Sequence, residues 1–202
     1  MHGAKFSVRK TLQALYYLQR KSNVSDKLAL LKLVFFADRY HIRNYGISML
    51  QDNYCAMNLG PVCSKTYDLI KKGLYYDGLT EDAKKLVDAS LFCNRDVVDV
   101  KDTGDDLLSV SDKEALDFSV ENFGSFSAYQ LSEITHAYPE WSRFHEILDS
   151  HISSSEEMDY ADFFGDPEKG NCYIEKYLAG KDPFADDVSV MNAMREEYKQ
   201  GI

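Results

Sequence analysis

Three of the five histidines, His136, His145 and His151, fall within one short stretch, and histidines so grouped are where metal or acid–base chemistry is sought first. Their separations of nine and six residues fit neither the i, i+4 pair of a helical zinc site nor a zinc-finger spacing, so no metal site and no cofactor is expected. His136, between Ile134 and Tyr138-Pro139, is expected to close a helix or to make a buried hydrogen bond. A nucleophilic thiol needs a neighbouring base, and Cys55 or Cys63 with His136 is the one combination that would give a small hydrolase or transferase. The plainer role for Cys55, Cys63, Cys93 and Cys172 is packing, because no two are spaced as a zinc knuckle or redox pair. Phosphate-binding glycine loops and the G-x-S-x-G elbow are missing from the sequence.

A second constellation is charged. Lys32, Phe36, Arg39 and Arg43 stand at i, i+4, i+7 and i+11, on one face of a helix, and form a basic stripe around one aromatic ring. The stripe is expected to be either a solvated face or a surface for an acidic protein partner. Asp38 falls instead with Leu31 and Val34, which predicts a half-buried, hydrogen-bonded carboxylate. The 202-residue chain carries a net charge of −10, which argues against direct nucleic-acid binding. That sum hides an asymmetry: residues 1 to 48 hold nine Lys and Arg against two acids, whereas residues 149 to 190 hold eleven acids against three Lys. The acidic stretch is a solvated face or a mimic of nucleic acid toward a basic partner. No run of about 18 apolar residues and no leader-like start is visible, which predicts a cytoplasmic protein without a membrane span.

The elements that must position these residues read mainly as helices, since 4 Pro and 11 Gly are few breakers for a β-rich chain. Apolar spacing predicts a helix from Phe6 to Arg20 with Ser7 as N-cap, then a second through Leu28 to Ala37, apolar nearly all round, ending at Gly46. Further helices are expected over Val62 to Lys72, Thr80 to Ala89, from a Ser111–Glu114 capping box to Gly124, from a Ser127–Gln130 box, and from Pro139. Beyond the serine run 153–155, helices near 156–164, 168–179 and 187–200 are expected, with residues 151–202 forming an acidic extension packed on or loosely attached to a domain of residues 1–150. Val97–Val100 and Leu107–Val110 predict a β-hairpin, joined by a third strand near 53–58 or laid on helices. The fold class expected is α+β, predominantly helical, with a small antiparallel sheet.

Lys27-Leu28-Ala29-Leu30-Leu31-Lys32-Leu33-Val34-Phe35-Phe36-Ala37-Asp38-Arg39-Tyr40-His41, followed by Tyr54-Cys55-Ala56-Met57-Asn58-Leu59-Gly60-Pro61-Val62, resembles the Panacea domain of SocA-like and GepA-like phage-associated proteins. Leu15-Tyr16-Tyr17-Leu18 before them, and Leu131 through His136 to Trp141 after them, match further elements of that domain in order. The resemblance implies a non-enzymatic antitoxin that binds a toxin encoded beside it, with delivery of that toxin to a protease as one mode and homo-oligomers allowed. It carries over no catalytic residue. Asp38, Tyr54, Gly60, Pro61, His136 and Trp141 stand at motif positions and are expected to be structural; the resemblance does not locate the toxin surface, and the basic stripe makes Lys32, Phe36, Arg39 and Arg43 the partner-binding candidates.

Overall fold

A computed structural model describes residues 5–185 and 195–196. Helix α1 (Val8–Ser22) starts where the Ser7 side chain accepts from the Lys10 amide. Helix α2 (Lys27–Tyr45) is capped by Asp26 and stops at Gly46, whose φ of 70° suits the left-handed turn there. Every residue of α2 from Ala29 to Arg39 is buried, so this helix is the axis of the molecule. Strands β1 (Tyr54–Met57) and β2 (Gly60–Cys63) form a tight hairpin, and α3 (Ser64–Lys72) follows directly. Next come α4 (Glu81–Ser90), a second hairpin of β3 (Leu91–Asn94) and β4 (Val97–Val100), and helices α5 (Val110–Phe123), α6 (Ala128–Thr135), α7 (Pro139–Ser142) and α8 (His145–Asp149). Strand β5 (Ser155–Glu157) and α9 (Cys172–Leu178) follow, with 3-10 turns at Gly73–Tyr75 and Tyr160–Phe164. The chain is therefore α+β and predominantly helical, with antiparallel sheets ordered β2-β1-β5 and β3-β4.

Several expectations need correction. The hairpin pairs Val97–Val100 with Leu91–Asn94, not with Leu107–Val110. Leu107 and Leu108 lead instead into α5, because Ser109 and Asp112 form the capping box two residues before the predicted one. Strand β1 falls where a third strand was expected but pairs with β2 and β5, so the 91–100 hairpin has no strand from it. That hairpin lies on α1, whose Gln19 side chain donates to Val98 O at 2.6 Å and accepts from Val100 N at 2.8 Å, completing the β4 edge. Pro61 opens no helix and sits in β2. Of the helix expected near 156–164, residues 156 and 157 lie in strand β5 and Tyr160–Phe164 forms a 3-10 turn, and the helix expected near 187–200 lies outside the described residues apart from 195–196.

The core runs on past residue 150. Met158, Phe163, Phe164, Ile174 and Phe184 are buried in one cluster with the α2 side chains. Phe36 stacks on Phe123 of α5 at 3.8 Å between centroids, with Phe184 beside both rings. Across the same helix, Arg39 pairs with Glu140 of α7, and both side chains are fully buried. Arg39 also donates to Gly165 O at 2.6 Å and lies 4.1 Å over the Tyr138 ring. Truncating one member of such a pair strands the other charge without solvent, so Glu140→Ala is expected to cost about 3–5 kcal/mol. The Arg39→Met/Glu140→Leu double variant is expected to lose less than Glu140→Ala alone. Urea unfolding of the three proteins checks this, and a cost under about 1 kcal/mol for Glu140→Ala would show that the pair does not hold α7 in place.

Candidate functional site

The four side chains of the basic stripe share one helix but not one surface. Lys32, Phe36 and Arg39 are inaccessible and Arg43 is 5% exposed, so neither a solvated face nor an open partner surface can be made of them. The physical reason is that each cation has a partner supplied from elsewhere in the chain. Arg43 donates to Asp166 Oδ1 at 2.7 Å and to the carbonyls of Phe163, Gly165 and Phe184. Burial draws the Arg43 pKa down, with the nearby Arg39 adding to the effect. Lys32 Nζ donates to Pro61 O at 2.7 Å, and burial lowers its pKa to about 7. Asp38 is also fully buried. It accepts from Ser48 Oγ at 2.8 Å, from the Met49 amide and from Tyr54 Oη at 3.0 Å, while burial raises its pKa to about 6. It fixes the α2–β1 connection.

Among the described residues no hydrogen bond joins either thiol to His136. Cys63 is fully buried, and loss of solvent pushes its thiol pKa well up, opposite to what a nucleophile needs. Cys55 Sγ accepts from Ser64 Oγ at 3.2 Å. His136 caps α6 and stacks on Trp141 with 3.6 Å between ring centroids. Its Nε2 is buried without a hydrogen-bond partner among the described residues, and burial lowers the imidazole pKa to about 4, which leaves the ring neutral at neutral pH.

What these residues build together is a rigid ridge at the tip of the β1–β2 hairpin. Three alternate carbonyls along it are each held by a side chain from a different helix. Trp141 Nε1 of α7 donates to Met57 O at 2.8 Å, Ser132 Oγ of α6 to Leu59 O at 2.8 Å, and Lys32 Nζ of α2 to Pro61 O. Between them Gly60 has φ +90° and lies so close to α6 that a Cβ would stand 2.3 Å from Thr135 Oγ1. The ridge presents Leu59, 55% exposed, with a cleft on either side. One cleft, of about 360 Å³, is lined by His136, Trp141, His145, His151, Glu133 and Tyr173 among others. The fold thus collects the three histidines that spacing kept apart, yet no group of three or more His, Cys, Asp and Glu among the described residues is arranged to hold a metal. The other cleft, of about 560 Å³, runs along Leu28, Leu31, Met57, Val62 and Tyr67.

Residues 30–142, more than half of the chain, match the family described as antitoxin SocA-like, Panacea domain. The chain belongs to that family. The match takes in Lys32, Gly60, Ser132 and Trp141, so the ridge and all its anchors lie within the Panacea domain, whereas His145, His151 and Tyr173 of the histidine cleft lie beyond its matched residues. Neither the curated proteins nor the solved structures include a significant match. Membership in an antitoxin-like family points to a protein partner. No helix among the described residues is long and apolar enough to cross a membrane. Sequence reasoning passed over Ser132 and Leu59; the signal available was the turn before Gly60-Pro61, which puts Leu59 at a hairpin tip.

Two measurements test the ridge. The unfolded chain keeps the Lys32 proton up to about 10.5, whereas the folded chain releases it near 7, so between these values the unfolded state binds more protons and the Lys32 contribution to stability rises with pH. The stability difference between the native chain and Lys32→Met is therefore expected to grow in favour of the native chain above pH 7, by at most about 1.4 kcal/mol per pH unit. Denaturant titrations at several pH values read it, and a pH-independent difference would place a permanently charged ammonium at the site. Gly60→Ala is expected to cost about 2–4 kcal/mol, from the positive φ and the contact with Thr135, and thermal unfolding measures it.

Proposed function

We propose that the chain is the antitoxin of a toxin–antitoxin pair and neutralises a cognate toxin by direct protein–protein binding. The Panacea match over residues 30–142 carries this reading. The ridge supports it, because three helices hold the backbone around an exposed leucine, and a preorganised surface loses little conformational entropy when a partner docks. Handing the toxin to a protease is a second step open to the same complex.

Acidic mimicry of nucleic acid is less well supported. Asp162 is bound to Arg143, Asp166 to Arg43 and Asp182 to Tyr138, so part of the acidic segment is already engaged by this chain's own side chains. A Cys/His enzyme finds no support in Cys63, whose thiol is buried and held in its neutral form.

Co-expression with the product of the adjacent reading frame tests the proposal. That product is expected to arrest growth alone, the full chain to restore growth, and the two purified proteins to elute as one complex. Toxin half-life in protease-deficient cells separates sequestration from delivery: an unchanged half-life with growth restored indicates sequestration. A neighbouring product that is harmless, or toxic but neither bound nor relieved by the chain, would overturn the antitoxin reading.

A further inference from the structure

The cleft along Leu28 and Leu31 has a floor made by the outer face of the three-stranded sheet. Val62 and Glu157 stand opposite Cys55 on its two sides, and Gly60 and Ser155 stand opposite Met57, so Val62, Cys55, Met57 and Glu157 share that face. The walls are the first turns of α2 and Tyr67 of α3. The interior is apolar and its rim is acidic. Asp96 lines one end with a side chain 83% exposed, and Asp26, which caps α2, lines it as well. The one lysine lining the cleft, Lys27, is engaged: its Nζ donates to Arg95 O at 2.7 Å and lies 3.4 Å from Asp96.

An apolar trough of about 560 Å³ whose lining carries two carboxylates, Asp26 and Asp96, against the single Lys27 among the described residues fits one kind of occupant. We infer that the Leu28–Leu59–Tyr67 cleft receives an amphipathic helix of a partner protein, its apolar row against Leu28, Leu31, Met57 and Leu59 and its flanking Lys or Arg residues against Asp26 and Asp96. Leu59 is the anchor, because it is exposed while its own carbonyl is pinned by Ser132. The inference rests on the antitoxin reading only for the identity of the partner.

The surface is tested without that identity. The full chain is titrated into a fluorescent helical peptide of about 18 residues with a leucine row and lysine flanks, and into its isomer with glutamate flanks, with binding read by anisotropy. The lysine peptide is expected to bind and the glutamate peptide to bind roughly tenfold more weakly or not at all. Leu59→Asp is expected to weaken the lysine peptide at least about tenfold, and Asp96→Lys roughly fivefold. Glu81→Lys/Asp82→Lys, which changes exposed acids on α4, is expected to leave it within about twofold. Should Leu59→Asp unfold, which thermal unfolding shows, the two charge variants decide the matter alone. Equal binding of both peptides, no loss with Leu59→Asp in a folded protein, or equal losses for the two charge variants would overturn the inference. So would self-association of the chain that Leu59→Asp abolishes, since the face would then belong to a second copy.

The adjacent gene product separates the two proposals. Growth restored equally by the native chain and by Leu59→Asp would sink the cleft and leave the antitoxin reading standing. The expected peptide results, with no binding of that product by the native chain, would sink the antitoxin reading and leave the cleft.

Discussion

Helix α2 is buried on every side and still carries Lys32, Asp38, Arg39 and Arg43, and the arrangement of the other elements follows from satisfying those four groups. A buried charge without a partner is costly enough that the chain must bring one or give up the fold. Lys32 takes a carbonyl from β2, and Asp38 takes donors from the loop after α2 and from β1. Arg39 takes Glu140 from α7, and both arginines take the Gly165 carbonyl, which ties the segment after β5 to the centre. Hydrophobic burial supplies most of the driving force for collapse, but it is non-directional. The polar partners are what specify which elements meet α2, and where along it.

This explains why apolar residues of the acidic segment, Met158, Phe163, Phe164, Ile174 and Phe184, join the core over its described residues. Arg43 alone reaches Phe163, Gly165, Asp166 and Phe184, so the region beyond residue 160 is held by backbone carbonyls as well as by the rings of Phe163, Phe164 and Phe184. The basic first 48 residues and the acidic end are, in part, two sides of one set of contacts. Net charge by segment describes the sequence correctly while concealing that several of these charges never face solvent.

Much of the helical framework was legible because capping is local. Ser7, Gly46, the Ser127–Gln130 box and Pro139 mark real helix ends, and the hydrogen bonds that make them reach only a few residues. The stripe at Lys32, Phe36, Arg39 and Arg43 was read on the correct helix and with the correct periodicity, but on the wrong side of the solvent boundary. Charged residues on a helix are usually outside. The contrary sign was present: from Ala29 to Ala37 the helix offers no polar stripe for the cations to join, and the acid that answers Arg39 stands next to Trp141 in a late motif. The hairpin was misplaced for another reason. Its turn at Arg95 uses a non-glycine residue at φ 53°, which leaves no Asn-Gly or Asp-Gly signal, while the more turn-like 102–106 segment precedes a helix cap instead.

The ridge shows how one of those buried groups bears on the surface. Ser64 N–H bonds to Asn53 O at 2.7 Å, and in an antiparallel hairpin the alternation of bonded pairs then turns Pro61 away from β1, off the free edge of β2. Proline suits that position because it has no N–H to leave unpaired, but its carbonyl is buried and has no strand to meet it. Lys32 resolves the difficulty: its long stem packs as an apolar chain and its amine donates to that carbonyl. Methionine would fill the same space and leave the carbonyl bare. A lysine forced into the core, a proline at a buried sheet edge and a glycine at positive φ are thus three parts of one solution. Its outward consequence is a leucine held in the open between two clefts.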